Sequence, residues 1–117
     1  MRSLFLFAMA SLIAGPAWAD FQRVQQRESF VSLVDGRDLT RLGIRLTVTN
    51  DGRIKGSAFG RDVTGDWRWN RGYFCRDLYL GGDLLDGDNC QTVEVSGETL
   101  RFTSDRGRGD SASLRLR

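Results

Sequence analysis

The sequence predicts an all-β domain: a small antiparallel β-meander curved into a barrel or half-barrel, with one short N-terminal helix and one disulfide. Three observations predict it. Turn-forming clusters recur along the chain, at Asn50-Asp51-Gly52, Gly60-Arg61, Asn70-Arg71-Gly72, Gly81-Gly82, Ser96-Gly97 and Asp105-Arg106-Gly107. The segments between them alternate apolar and polar residues, as half-buried strands do. The chain has 2 cysteines, Cys75 and Cys90, and an even count in an exported chain is most simply a disulfide.

Export is expected from the N-terminus, "MRSLFLFAMASLIAGPAWAD". Arg2, the apolar run Leu4 to Ala14, the breaker Gly15-Pro16 and the small-x-small end Ala17-Trp18-Ala19 form the three parts of a secretory signal peptide. Residues 1–19 are therefore read as the signal and residues 20–117 as a single disulfide-stapled β-domain. The apolar run is shorter than the ~20 residues a membrane span needs, and no cysteine follows it to carry a lipid. A periplasmic or secreted protein with no membrane span after cleavage is the expectation.

The remaining 98 of 117 residues suffice for one domain with a modest core. Basic and acidic residues, 17 against 15, are interspersed along the chain. No basic stripe forms, so nucleic acid is not an expected partner.

The first element is a helix near 27–34. In "RESFVSLVDG", Phe30, Val31 and Val34 stand at helical spacing and Gly36 is placed as a stop. It suits the role of a cap on an open end of the sheet. Seven strands follow, near 39–49, 53–59, 62–69, 73–80, 90–95, 98–104 and 111–116.

The turns fix a register that can be checked. A three-residue loop over 50–52, with glycine in its left-handed last position, sets Val48 opposite Ile54, Leu46 opposite Gly56 and Ile44 opposite Ala58. A two-residue loop at 60–61 sets Ala58 opposite Val63, Gly56 opposite Gly65 and Ile54 opposite Trp67. A three-residue loop at 70–72 sets Trp69 opposite Tyr73 and Trp67 opposite Cys75. Together these place Ile44, Leu46, Val48, Ile54, Ala58, Val63, Trp67, Trp69, Tyr73, Cys75 and Tyr79 on one inner face.

Facing glycines at 56 and 65 imply strong curvature or room for a ring, and curvature favours closure into a small barrel of lipocalin-like appearance. The phase then breaks. Val93 cannot share a face with Cys90 in a regular strand, so either Cys90 precedes its strand or a bulge intervenes.

Candidate chemistry is sparse. A redox pair usually reads Cys-x-x-Cys and a zinc site needs about four ligands; with 0 histidines, Cys75 and Cys90 read as a structural disulfide. Arg76 could activate a thiolate, but the register places it opposite Asp66 as an ordinary cross-strand ion pair. Asp77 points inward between Cys75 and Tyr79, where a carboxylate needs a partner or a ligand.

Trp67, Trp69, Tyr73, Asp77 and Tyr79 are thus the candidate pocket of a hollow barrel, or its filled core. Asp83, Asp86, Asp88 and Asn89 lack calcium-loop spacing and read as a solvated turn. "GRGDSA" at 107–112 fits the dinucleotide fingerprint only formally, because too few residues follow for a βαβ unit. Arg108-Gly109-Asp110 spells an adhesion tripeptide at a frequency that chance explains. No catalytic residue, metal site or cofactor is read.

At "GYFCRDL", "NCQTV" and "RFTSDRGRGDSASLRLR" the chain resembles a group of small exported proteins of Gram-negative bacteria. They share the order signal peptide, W-x-W, G-Y-F-C-R, second cysteine and R-F-T-S-D-R-G. Members are often labelled dihydrodipicolinate reductase. Such a reductase resembles a two-domain cytoplasmic enzyme with a nucleotide-binding βαβ region, and this chain has neither that length nor that compartment.

The functional expectation is a non-catalytic monomeric module that binds a protein or an envelope component through its outer face or loops. The alternative is a carrier with a small apolar ligand inside the barrel, and a reductase comes last.

Overall fold

The computed structural model describes residues 20–117; the signal-peptide reading lies outside them. In chain order the elements are β1 (Gln22–Arg23), α1 (Arg27–Val34), β2 (Asp38–Arg41), β3 (Ile44–Val48), β4 (Arg53–Ala58), β5 (Arg61–Asn70), β6 (Tyr73–Leu80), β7 (Asp83–Ser96), β8 (Thr99–Thr103), the helical turn α2 (Ser104–Gly107) and β9 (Ser111–Leu116). Strands β2 to β9 form a closed eight-stranded antiparallel barrel. Neighbours run β7-β6-β5-β4-β3-β2-β9-β8, and β8 pairs back to β7. Closure satisfies both edges of every strand, which an open meander of this size cannot do.

The short β1 extends one edge of the long β7, pairing Gln22 with Val95 and Arg23 with Glu94 beyond the stretch that β6 occupies. Two residues with no alternation leave no strand signal in the sequence. The segment expected as one strand over 39–49 is two. The Leu42-Gly43 turn folds it into β2 and β3, with Leu39 opposite Leu46 and Arg41 opposite Ile44. The stretch expected as a solvated turn over 81–89 is a turn only at Gly81-Gly82; from Asp83 it is already β7, with register shifts opposite Arg76 to Tyr79.

The register between β3 and β4 is as the loop predicts, Val48 with Ile54, Leu46 with Gly56 and Ile44 with Ala58. Between β4 and β5 the turn is Phe59-Gly60, with Ala58 opposite Arg61, Gly56 opposite Val63 and Ile54 opposite Gly65. That differs from the expectation by two residues, so the faces survive. Gly56 and Gly65 do not face each other, yet both mark close strand approach: an added Cβ would lie 2.0 Å from the Arg45 carbonyl oxygen at Gly56 and 2.3 Å from that of Asp77 at Gly65.

Between β5 and β6 the difference is one residue. The turn has two residues, Arg71 at φ 54° and Gly72 at φ 86°, the pair of left-handed conformations whose twist matches a hairpin. Asn70 therefore faces Tyr73, Trp69 faces Phe74 and Trp67 faces Arg76. A one-residue slip exchanges the faces of a strand. Phe74, Arg76 and Leu78 now share the face of Trp67 and Trp69, and Tyr73, Cys75, Asp77 and Tyr79 take the other.

The core gathers around α1, at the predicted 27–34. Phe30 is fully buried and Val34 nearly so. The Phe30 ring lies 5.3 Å from Trp67, 5.1 Å from Trp69, 5.0 Å from Phe74 and 6.4 Å from Phe102, centroid to centroid. Hydrogen bonds made by Trp69 and Arg27 tie the helix and the residue leading into it to this end of the barrel, and one made by Trp67 braces the β3–β4 loop beside it. The Trp69 indole donates to the Gln25 carbonyl at 2.9 Å, Trp67 to that of Thr49 at 2.8 Å, and Arg27 to that of Asn50 at 2.7 Å.

Candidate functional site

Antiparallel order places the turns Leu42-Gly43, Phe59-Gly60 and Gly81-Gly82, with α2, at the end of the barrel opposite α1. Two of these turns put large apolar side chains into water, Leu42 at 93% exposure and Phe59 at 74%; Leu84 and Leu85, just past the third, are also exposed. The rim is braced from within. The Phe59 ring sits against Gly43 and the Arg61 guanidinium against Gly81, each so close that a side chain on the glycine would collide with it.

Beneath this rim the barrel interior holds a cavity of about 90 Å³. Its walls are apolar, from Leu39, Leu46, Leu78, Phe102, Ala112 and Leu114 among others, with two polar groups, Arg76 and Gln91. Both come from inward positions of paired strands: Arg76 faces Asn89, and Gln91 faces Phe74 two residues on. They are diagonal neighbours on one surface, within reach of a common small group.

The Arg76 side chain is 15% exposed, and its Nη1 donates to Asp86 Oδ2 at 3.3 Å; Asp86 is 45% exposed. Burial pushes the guanidinium below its ordinary pKa, with the Asp86 charge and hydrogen bond, then the Asp77 charge, working in the opposite direction. An arginine remains cationic at neutral pH under any such shift. Asp86 also accepts from Asn89 Nδ2 at 2.8 Å, Asn89 donates to Ser104 Oγ at 3.0 Å, and Gln91 Nε2 donates to the same oxygen at 3.2 Å. Gln91 is 4% exposed, and this hydrogen-bonded chain from β6 through β7 to α2 anchors the two polar groups, Arg76 and Gln91, that reach the cavity.

The expected site residues fall out differently. Trp67 and Trp69 are inside, but they pack on Phe30 at the plugged end and do not line the cavity. Tyr73, Asp77 and Tyr79 leave the candidate pocket, because the two-residue turn at 71–72 sends them to the opposite face of β6. Tyr73 instead lies under the guanidinia of Arg23 and Arg106, and Asp77 Oδ1 accepts the Asp88 backbone N–H at 2.6 Å. The expected Asp66–Arg76 pair is likewise corrected. Asp66 faces Asp77 and pairs with Arg53 at 3.4 Å, while Arg76 faces Trp67 and pairs with Asp86.

Cys75 and Cys90 form the disulfide, directly opposite each other in the β6–β7 ladder. Neither alternative offered for Cys90 is needed: it lies inside β7 on the same face as Cys75, and Val93 points to the core from the other. That phase conflict was the sequence signal for the true register, and following it would have moved Phe74, Arg76 and Leu78 inward. Arg108-Gly109-Asp110 sits exposed between α2 and β9.

The disulfide fits an oxidising, extracellular or periplasmic setting, and no helix among the described residues is long and apolar enough to cross a membrane. No family model, curated protein or solved structure matches the chain.

Proposed function

We propose that this chain is a non-catalytic module, exported to the periplasm or beyond, that binds a protein or envelope component through the barrel end opposite α1. The observation that carries this reading is the placement of its large exposed apolar side chains. Leu42, Phe59, Leu84 and Leu85 all belong to that end, and apolar side chains gathered on a braced rim are a mark of interaction sites. The carrier reading draws support from the cavity, but about 90 Å³ suits a short ligand and weighs against a long acyl chain. Every strand pairing among the described residues is antiparallel. This weighs against the reductase label, since a nucleotide-binding βαβ unit needs parallel strands.

A photo-crosslinking amino acid placed at position 42 or 59 in cells exporting the chain should give one defined adduct. The same group at Ser32, exposed on α1, should give none. Adducts of equal yield from all three positions, or none from the rim, would sink the reading.

A further inference from the structure

We propose that the cavity beneath the rim is a binding site for a short apolar molecule bearing a carbonyl, with Arg76 and Gln91 as the donors that receive it. The site does not depend on what the rim engages.

The walls set the apolar part: Leu78, Phe102, Ala112 and Leu114 offer only hydrocarbon. The volume sets the size. One water needs about 10–15 Å³ of such space, so this cavity admits roughly six to nine non-hydrogen atoms.

The polar groups set the chemistry. A guanidinium has five N–H donors, and among the described residues Arg76 uses one side-chain bond, a long one to Asp86. Gln91, buried, spends one amide hydrogen on Ser104 and has a second. Unused donors beside an apolar void are costly to bury, and a carbonyl oxygen, with two lone pairs, answers one donor from each side chain.

Charge decides against an anion. Arg76 is already paired with Asp86, and the Asp77 charge also acts on it, so a carboxylate would add a third negative group to a site whose one cation is already neutralised. An amine, cationic at neutral pH, would bring a second positive charge beside the Arg76 guanidinium, with only the Gln91 side-chain oxygen to accept from it.

The test is an NMR titration of the exported, purified protein with 2-heptanone, heptanoate and heptylamine. Saturable shifts at Leu78, Gln91, Ala112 and Leu114 are expected for 2-heptanone, with a dissociation constant on the order of 0.1–1 mM. The acid and the amine should bind at least about tenfold more weakly. Arg76→Met should weaken 2-heptanone about tenfold or more. Ala112→Leu, which fills the cavity and keeps the Arg76–Asp86 pair, should abolish binding while the spectrum stays folded, so the test survives if Arg76→Met does not fold. No saturable shift for the ketone, heptanoate binding as tightly as the ketone, or full affinity retained in either folded variant overturns the site.

Discussion

Arg76 and Asp86 form a pair of unequal burial, and the inequality predicts unequal mutants. Removing Asp86 leaves a guanidinium that is 15% exposed without its counter-charge, whereas removing Arg76 leaves a carboxylate that is 45% exposed and able to turn to water. Breaking a buried pair costs most when the stranded charge is the buried one. Asp86→Ala should therefore lose about 2–3 kcal/mol in urea unfolding, and Arg76→Met less than about 1 kcal/mol, since methionine occupies the same space without a charge. Equal losses would mean that the pair is not the determinant. The lowered folded-state value of Arg76 has a definite sign. Folding disfavours the charged form of a base so shifted, so its cost is present at every pH below the guanidinium range and is relieved only as pH rises into it. Arg76 adds no pH dependence around neutrality.

At the scale of elements, α1 acts as a plug whose anchor is one ring. Phe30 contacts four aromatic side chains drawn from β5, β6 and β8, so its removal opens a cavity that rigid strands cannot refill. Phe30→Ala should cost about 3–5 kcal/mol and red-shift tryptophan emission as water reaches Trp67 and Trp69. Ser32→Ala on the exposed side of the same helix should change stability by less than about 0.5 kcal/mol.

This helix was legible because Phe30, Val34 and Gly36 each obey a local rule, and the β3–β4 register because Gly52, at φ 93°, takes the position that the loop type demands. The β5–β6 register was not legible from its own turn, because it depends on Arg71 adopting a left-handed conformation, φ 54°, that arginine seldom takes; the phase conflict between Cys90 and Val93 one hairpin on was its sole sequence signal. Barrel twist overrides that local preference, and one residue of slip moved Tyr73, Asp77 and Tyr79 out of the pocket and Arg76 in. The Leu42-Gly43 turn was hidden for a related reason. A leucine 93% exposed reads in sequence as the middle of a strand, and the rim it helps to form becomes visible only when the barrel closes.

For the whole molecule, closure depends on β7, which pairs with β6, β8 and β1 at once. Its pairing with β6 is regular at Cys75–Cys90 and irregular from Arg76 to Tyr79, so the disulfide pins this seam where its regular and shifted parts meet. Constraint of the unfolded chain by a loop of this length, 15 residues in separation, contributes about 3 kcal/mol. Replacing both cysteines with alanine should therefore lower Tm by roughly 12–24 °C in calorimetry. The barrel itself should persist, because the β2–β5 ladders and the β8–β9 pairing do not pass through the bridge. Hydrogen exchange separates a local seam from a global support. In the first case protection falls at residues 81–90 and holds in β3, β4 and β5; a uniform fall across all strands would instead make the disulfide a condition of closure, with the rim and the cavity lost together when it is reduced.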